Sequence, residues 1–405
     1  MNHYGAMHDC RSDLNLMGTY NLALGSGTLE IASGKKLLIN GSGTGGVFNH
    51  SDGQCIVPTV RVGVDSGNTG TYDLSSQGTL DTDRVDVGRY GTGSFSQTGG
   101  TCDIQYNLTI GRSSTATGTY TLGGGTCTVG GYLAIGYEDG ATGTLTIGAG
   151  TLTVTGDLIV DHGLVSSGTA ALDIQDDAAV IEVGGDLVLG DRASFAVSDE
   201  DGAKITMTGT DSAFDIAKAV GGAAQVDGLG DLTLVFDRED DTDVKCLEVA
   251  GKDDDFGAIG TGSFNTANFV LDVLRVGKDS VSATYGPVRL ELVDACDNQG
   301  DEEAEALFVN TLDIDDGGCF ENDSLALYYL NGGAPKRFWR GDATLDGMVN
   351  YLDLGILASN YGKGTDGDGE GRGAGQDPPF PQDYDDDGDV DVDDLVIYLG
   401  ILAGD

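Results

Sequence analysis

The feature that most constrains this chain is a repeat of about 25 residues. Similar short apolar segments begin at Val60, Val85, Leu108, Leu133, Leu158 and Leu187, separated by 25, 23, 25, 25 and 29 residues. Within each unit, three short stretches alternate apolar with small polar residues, which is the pattern of half-buried strands. One unit cannot bury its apolar face alone, whereas stacked units bury a continuous core.

Alignment of the units predicts ladders of inward-facing residues that remain in register. The first three are Tyr72/Phe95/Tyr120/Leu145, Leu80/Cys102/Cys127/Leu152 and Thr82/Ile104/Val129/Val154. The register continues through Leu172/Ile174, Ile181/Val183, Phe195/Val197 and Ile205/Met207, and an earlier coil holds Leu29/Ile31 and Leu37/Ile39. We therefore expect an all-β, right-handed parallel β-helix. The main alternative is a β-propeller, but propeller blades need about 40–45 residues.

Changes in the repeat divide the chain into four segments. We expect an N-terminal cap and first coil over 1–56 and parallel β-helix repeats over 57–217. The 25-residue spacing fades after that, so 218–335 is expected to be an irregular β region that ends in a C-terminal cap. A cap is needed because an open solenoid end exposes unpaired strand edges. Residues 336–405 form a separate small module.

The charge of the chain limits its partners. Lys and Arg total 21 against 66 Asp and Glu, a formal net charge of −45. Nucleic acid and anionic membrane surfaces are disfavoured because their phosphates would be repelled. Calcium is favoured because its ligands are oxygens. The sequence has no apolar run of the length that a transmembrane helix needs, and its first ten residues lack the apolar segment of a signal peptide.

Two pairs of residues on adjacent coils stand out. Cys102 and Cys127 share a rung at a distance that would permit a disulfide, although the preferred interpretation is two small buried apolar residues. Arg89 and Arg112 share a turn, where they could contact an anionic glycan. The alternative is a solvated turn in which nearby aspartates pair with both arginines.

Two C-terminal segments have the spacing of a calcium-binding loop. Oxygen-bearing residues stand at loop positions 1, 3, 5, 7, 9 and 12, with Gly347 or Gly388 at position 6, where calcium loops need a sharp turn. The predicted ligands are Asp342, Thr344, Asp346, Met348 (carbonyl), Asn350 and Asp353 in the first loop, and Asp383, Asp385, Asp387, Asp389 (carbonyl), Asp391 and Asp394 in the second.

An apolar stripe at helical spacing follows each loop, and no helix is indicated before either loop. This duplicated loop–helix pattern with Asp at position 12 resembles the dockerin type I family over 341–405. The resemblance implies a small α-helical domain that binds two Ca²⁺ ions and docks onto a cohesin-like domain. Loop positions 10 and 11, which carry recognition residues in that family, are Tyr351, Leu352, Val392 and Asp393 here.

Tyr361 and Tyr398 are further candidates for the docking surface. The docking partner is either a cohesin-like domain of another protein or the chain's own solenoid cap around Phe338 and Trp339. The phrases VDACDNQ, EALFVNTLDI and LALYYLNGG, followed by a module that begins with Gly-Asp, resemble the C-terminal part of large secreted repeat proteins of planctomycete-type bacteria. That resemblance implies a secreted or cell-surface location.

Two functions from different classes fit these observations. The favoured one is a non-catalytic extracellular scaffold or adhesive protein attached through its calcium module. The other is a polysaccharide lyase or glycoside hydrolase built on a β-helix, which would need carboxylates paired across a groove. The acidic candidates Asp176/Asp177 and Asp199–Asp201 fall in expected turns and have no basic partner on their rung.

Overall fold

The computed structural model describes two compact units. The first runs from the N-terminus to Ile205 and includes Gln225–Asp231, and the second begins at Thr206 and continues from Leu232. The described residues are 2–3, 7–23, 27–41, 45–162, 167–198, 202–217, 225–237, 244–252, 264, 269–277, 288–294, 298, 305–314, 318–320, 325–332 and 336–337.

The first unit is an all-β parallel solenoid, which confirms the predicted class of fold. Each strand pairs in parallel with the strand one coil further along. Its strands are β1 (Asn2–His3), β2 (Met7–Cys10), β3 (Leu14–Leu16), β4 (Thr19–Leu22), β5 (Thr28–Ile31), β6 (Leu37–Ile39), β7 (Gly46–His50), β8 (Gln54–Val62), β9 (Thr69–Leu74), β10 (Thr79–Val87), β11 (Thr92–Ile110), β12 (Thr117–Val129), β13 (Leu133–Ile135), β14 (Thr142–Ile147), β15 (Thr151–Val154), β16 (Leu158–Val160), β17 (Thr169–Ile174), β18 (Val180–Val183), β19 (Leu187–Leu189), β20 (Ala193–Val197) and the start of β21 (Ala203–Met207).

The predicted ladders are confirmed residue by residue. Phe95 pairs with Tyr72 and Tyr120, and Cys102 pairs with Leu80 and Cys127. The six repeat starts likewise form one continuous ladder of buried side chains. The structure also adds a coil that the sequence analysis missed, because strands β2 to β4 lie below β5 to β7 in the same register.

A stack of aromatic rings runs through the core of this solenoid. Tyr20, Phe48, Tyr72, Phe95 and Tyr120 follow one another on successive coils, with ring centroids 4.5–5.2 Å apart. All five side chains are buried. The rings fill the wide part of each coil at the spacing of paired strands, about 4.8 Å, so apolar burial and strand pairing favour the same register.

One glycine position shows why the coils turn where they do. Gly88 follows strand β10 at φ +70°, and a Cβ atom there would lie 2.3 Å from the carbonyl oxygen of Thr117 on the next coil. The left-handed conformation and the close approach of the coils both require glycine. Asp161 occupies the equivalent position two coils beyond Gly111, at φ +71°.

The two cysteines that share a rung are small buried residues without a disulfide, as the sequence analysis preferred. Cys102 and Cys127 are buried, free and opposite one another. The hydroxyl of Tyr120 lies 3.4 Å from the Cys127 Sγ atom and donates to Gln97 Oε1 at 2.7 Å. The neighbouring Cys127 thiol and burial raise the pKa of Cys102, whereas the hydrogen bond with Cys102 lowers the pKa of Cys127.

The second unit consists mainly of parallel strand pairs with longer intervals. Strand β23 pairs with β26, β26 with β28, and β28 with β30, while β25 and β31 pair antiparallel with β28 and β30. The strands are β22 (Ala213–Ile216), β23 (Leu232–Phe236), β24 (Val244–Glu248), β25 (Gly251–Lys252), β26 (Leu271–Val276), β27 (Val288–Val293), β28 (Glu305–Ile314), β29 (Gly318–Phe320), β30 (Ala326–Tyr329) and β31 (Lys336–Arg337).

Helical structure is scarce in the described part of the chain. It includes one short 3-10 helix, Asp227–Asp231, in the first unit. No helix among the described residues is long and apolar enough to cross a membrane.

His50 is a buried titratable group in the first unit. Its Nε2 atom lies 3.0 Å from the carbonyl oxygen of Gly53, and its Nδ1 atom lies 2.9 Å from the hydroxyl of Tyr72. Because the carbonyl only accepts, a neutral imidazole donates from Nε2 and accepts the Tyr72 proton at Nδ1. Burial lowers the pKa of His50 from 6.5 to about 4.

The lowered pKa of His50 predicts a loss of stability in mild acid. Below about pH 6.5 the unfolded chain binds a proton that the folded chain does not bind until pH about 4. We expect the unfolding free energy of the first unit to fall by roughly 3 kcal/mol between pH about 6.5 and pH about 4 because of His50.

Denaturant titrations of the wild type and His50→Gln at pH 7 and pH 4.5 measure this difference. The variant should lose less stability on acidification than the wild type, with the exposed His162→Gln as a matched control. Equal losses in the wild type and His50→Gln would contradict the prediction.

Candidate functional site: an arginine–tyrosine strip

The predicted calcium loops and docking residues all lie in 341–405, outside the described residues. The two arginines proposed as glycan contacts are described and lie on the first solenoid. The candidate site is therefore built from the surface around Arg89 and Arg112.

Arginine and lysine are sparse in the middle of the first solenoid, where they fall in one place. Between Leu37 and Asp191 the sequence contains many acidic residues, and its only basic residues are Arg61, Arg84, Arg89 and Arg112. All four lie on or beside the strands of a single sheet. Arg61 is the register partner of Asp86, Arg84 lies two residues before Asp86 on the same strand, and Arg89 and Arg112 occupy equivalent turn positions on adjacent coils. This surface is thus a local positive patch on a strongly acidic chain.

Asp86 lies at the centre of this patch. It points outward from β10, between the inward-facing Val85 and Val87, yet its side chain is 0% exposed. Arg61 Nε lies 3.1 Å from its Oδ2 atom, and Arg112 Nη1 lies 2.6 Å from its Oδ1 atom. Burial raises the pKa of Asp86, while the charges of Arg112 and Arg84 oppose that rise. One carboxylate therefore holds two guanidinium groups from the coils on either side.

Planar side chains stack along the turn that follows this sheet. Arg89, Arg112 and Tyr137 occupy equivalent positions on successive coils, and His162 follows on the next. The Arg112 Cζ atom lies 5.9 Å from the ring centroid of Tyr137. The Tyr137 and His162 rings are 4.4 Å apart at 15°. These contacts form a column of one guanidinium and two rings about 10 Å long, from two rungs of about 4.8 Å, and Arg89 lies at the equivalent position one coil before Arg112.

A second tyrosine lies on the other side of the same strand. Tyr132 precedes β13 and Tyr137 follows it, with ring centroids 6.2 Å apart and planes within 10°. The residue between them on the outer face, Ala134, is small and buried, so both rings fit above the strand. Burial raises the pKa of Tyr132, and so does the neighbouring Tyr137 hydroxyl, while Arg84 and Arg112 lower it.

These residues together define the arginine–tyrosine strip. It has a basic end and an aromatic end on adjacent coils of one sheet, and the side chains of Tyr132, Tyr137 and Arg112 are half-buried while His162 is exposed. The strip consists of Arg61, Arg84, Asp86, Arg89, Arg112, Tyr132, Tyr137 and His162.

The strip partly corrects the interpretation of Arg89 and Arg112. Arg112 has the aspartate partner that the alternative interpretation foresaw, so it is a structural member of the strip. Within the described ranges, Arg89 forms no ion pair. Its Cζ atom lies 5.1 Å from the ring centroid of Tyr90, and its buried Nε atom has no hydrogen-bond partner. Arg84 likewise forms no ion pair within 4.0 Å of a described carboxylate, although its charge lowers the pKa of Asp86. The available cations are therefore Arg89 and Arg84.

The sequence analysis missed most of this strip. Arg61, Arg84 and Asp86 were not singled out, and neither were Tyr132 and His162. The signal was present, since the only basic residues over 150 positions fall on one aligned segment of the repeat.

Of the carboxylates considered for catalysis, the structure describes only Asp176 and Asp177, which are neighbours in one turn. Asp176 lies in an exposed turn, where its Oδ1 atom accepts a hydrogen bond from the backbone N–H of Ala178. Asp199–Asp201 lie outside the described residues. In the second unit, carboxylate oxygens of Glu248, Asp294 and Glu305 lie within 4.8 Å of one another, and Glu305 Oε1 accepts the backbone N–H of Asn298.

Comparison of the chain with protein-family models, with curated proteins and with solved structures finds no match.

The buried ion pairs at Asp86 predict a large effect on stability. Replacing Asp86 with Ala leaves two partly shielded guanidiniums, 18% and 26% exposed, without their common carboxylate. We expect a loss of about 3 kcal/mol in the unfolding free energy of the first unit. Chemical denaturation measures this loss.

Two further variants separate charge from shape. Asp86→Asn keeps the shape of the side chain and should lose somewhat less unfolding free energy than Asp86→Ala. The control Asp103→Ala removes an exposed carboxylate and should change stability by less than about 0.5 kcal/mol. An Asp86→Ala variant as stable as Asp103→Ala would show that the ion pairs do not support the coil.

Proposed function

We propose that this protein is a non-catalytic extracellular or cell-surface scaffold or adhesive repeat protein. In this proposal the solenoid is a rigid surface, and residues 336–405 form a small helical, dockerin-like module that attaches the protein to a partner. We also propose right-handed winding, because parallel strand crossovers are right-handed in about 98% of cases.

The observation that carries the proposal is the repetition of the solenoid surface. One outward column consists of threonine on five successive coils: Thr69, Thr92, Thr117, Thr142 and Thr169. Its neighbour contains Thr71, Ser94, Thr119, Thr144 and Ala171. A catalytic surface concentrates different acid and base groups at one point, whereas these columns repeat one type of side chain.

The alternative function is a polysaccharide lyase or glycoside hydrolase. The observation in its favour is the three-carboxylate group of Glu248, Asp294 and Glu305, in which Glu248 and Glu305 are buried. Incubation of the full chain with acidic and neutral polysaccharides distinguishes the two functions. The scaffold proposal expects neither new reducing ends nor unsaturated products, and release of either would support the enzyme.

Attachment through the module rests on the spacing of its two acidic loops. In this proposal two Ca²⁺ ions bind the oxygen ligands and organise the segment, which is too short to bury a large core. The partner is a cohesin-like domain or the chain's own cap. The net charge of −45 also raises the local concentration of cations.

The module predicts a defined calcium stoichiometry. We expect isothermal titration of the EDTA-treated chain to show two bound Ca²⁺ ions. Asp342→Ala and Asp383→Ala should each abolish one of them, because each removes the carboxylate at position 1 of one loop. Asp176→Ala, which removes an exposed carboxylate outside the loops, should retain both.

EDTA should leave the β-sheet circular dichroism of the solenoid unchanged. A wild-type chain that binds no Ca²⁺, or two loop variants that retain both ions, would refute the calcium module.

A further inference from the structure

We propose that the arginine–tyrosine strip binds a saccharide that carries an isolated carboxylate, with the carboxylate at Arg84 and Arg89 and neutral sugar rings against Tyr132 and Tyr137. The inference deepens the proposed function, on which it rests, by giving the adhesive surface a ligand class.

The basic end of the strip includes two arginines, Arg84 and Arg89, that form no ion pair among the described residues. Asp86 pairs with Arg61 and Arg112, whereas Arg84, within strand β10, and Arg89, just after it, form no ion pair with any described residue. Arg89 also has a buried Nε–H without an acceptor. Guanidinium groups present parallel N–H donors that match a carboxylate. Because that Nε atom is itself buried, a ligand carboxylate would meet the terminal Nη groups of the half-buried Arg89.

The aromatic end of the strip favours a sugar ring. Tyr132 and Tyr137 lie with nearly parallel planes above the small Ala134, and His162 continues the surface on the next coil. Arg112 and His162 cover the faces of the Tyr137 ring, so a pyranose would pack its apolar C–H face against the outward edges of the two tyrosine rings. The Tyr132 and Tyr137 hydroxyls interact with each other, and because a hydroxyl has one donor and two acceptor positions, the pair can still bond a sugar hydroxyl.

The surroundings of the strip limit the charge of the ligand. The rest of the chain is strongly acidic: Glu138 and Asp139 directly follow Tyr137, and Asp157 lies on the next coil. A polyanion would be repelled along most of its length, whereas one carboxylate lies within a Debye length of the arginines, about 8 Å at physiological salt. A mostly neutral oligosaccharide with a single uronate therefore fits better than a nucleic acid or a sulfated polymer.

The test compares an acidic with a neutral oligosaccharide of similar length. The full chain in Ca²⁺ is titrated with an aldotetraouronic acid, which has one glucuronate on three xyloses, and with xylotetraose. We expect the acidic ligand to bind about tenfold more tightly at low salt, and the difference to disappear in Arg89→Gln. Arg11→Gln is the matched control, because Arg11 is exposed and pairs with Asp9 near the start of the chain.

A second series tests the aromatic end. Tyr137→Ala should weaken both ligands about tenfold, whereas Tyr137→Phe keeps the ring and should bind both nearly as the wild type does. Circular dichroism shows which variants remain folded.

The inference is overturned if both ligands bind equally, if Arg89→Gln behaves like Arg11→Gln, or if heparin or single-stranded DNA binds more tightly than the uronate. The same samples are analysed for cleavage after titration. Cleaved ligand would refute the non-catalytic function while the binding site stands, whereas absent binding with an intact calcium response would refute the site alone.

Discussion

The in-register pairing of each coil with the next is the interaction on which the first solenoid depends. A coil of about 25 residues cannot bury its apolar face alone, so its stability comes from the neighbouring coils. The register is held from inside by the stacked rings of Tyr72, Phe95 and Tyr120 and from outside by backbone hydrogen bonds between parallel strands. A shift of the pairing by one residue would move every aromatic ring to the outer face, so other strand registers are strongly disfavoured.

The same register creates the candidate binding surface. Residues about 25 positions apart become neighbours. The register that stacks aromatic rings in the core therefore also aligns arginine and tyrosine side chains on the outer surface. Arg89, Arg112 and Tyr137 are brought together in this way, and Asp86 neutralises only part of the charge. The strip is the place where the repetition of small hydroxyl side chains is interrupted, which is why we assign binding to it and a scaffold role to the threonine columns.

Much of this solenoid could be predicted from the sequence, because alternation along each strand and a fixed spacing between strands determine which residues share a rung. The ladder of Leu80, Cys102 and Cys127 was predicted in full. The coil of Met7–Leu22 was missed because its strands are short and Met7 and Cys10 give a weak alternation. An aspartate partner for Arg112 was foreseen as an alternative, but Asp86 was not identified as that partner, because the pair joins different strand positions on adjacent coils and depends on side-chain conformation. The calcium loops stay a prediction from spacing alone.

Disulfide trapping of register partners tests the central claim, the pairing of coils, most directly. Thr119 and Thr144 are paired on the outer face, at about 4.8 Å, whereas Thr119 and Thr146 are offset by two residues, which places their Cα atoms roughly 8 Å apart. Mild oxidation of Thr119→Cys/Thr144→Cys should give a cross-linked peptide in mass spectrometry, and Thr119→Cys/Thr146→Cys should give little. Efficient cross-linking of the offset pair, with none for the register pair, would contradict the structure described for the solenoid.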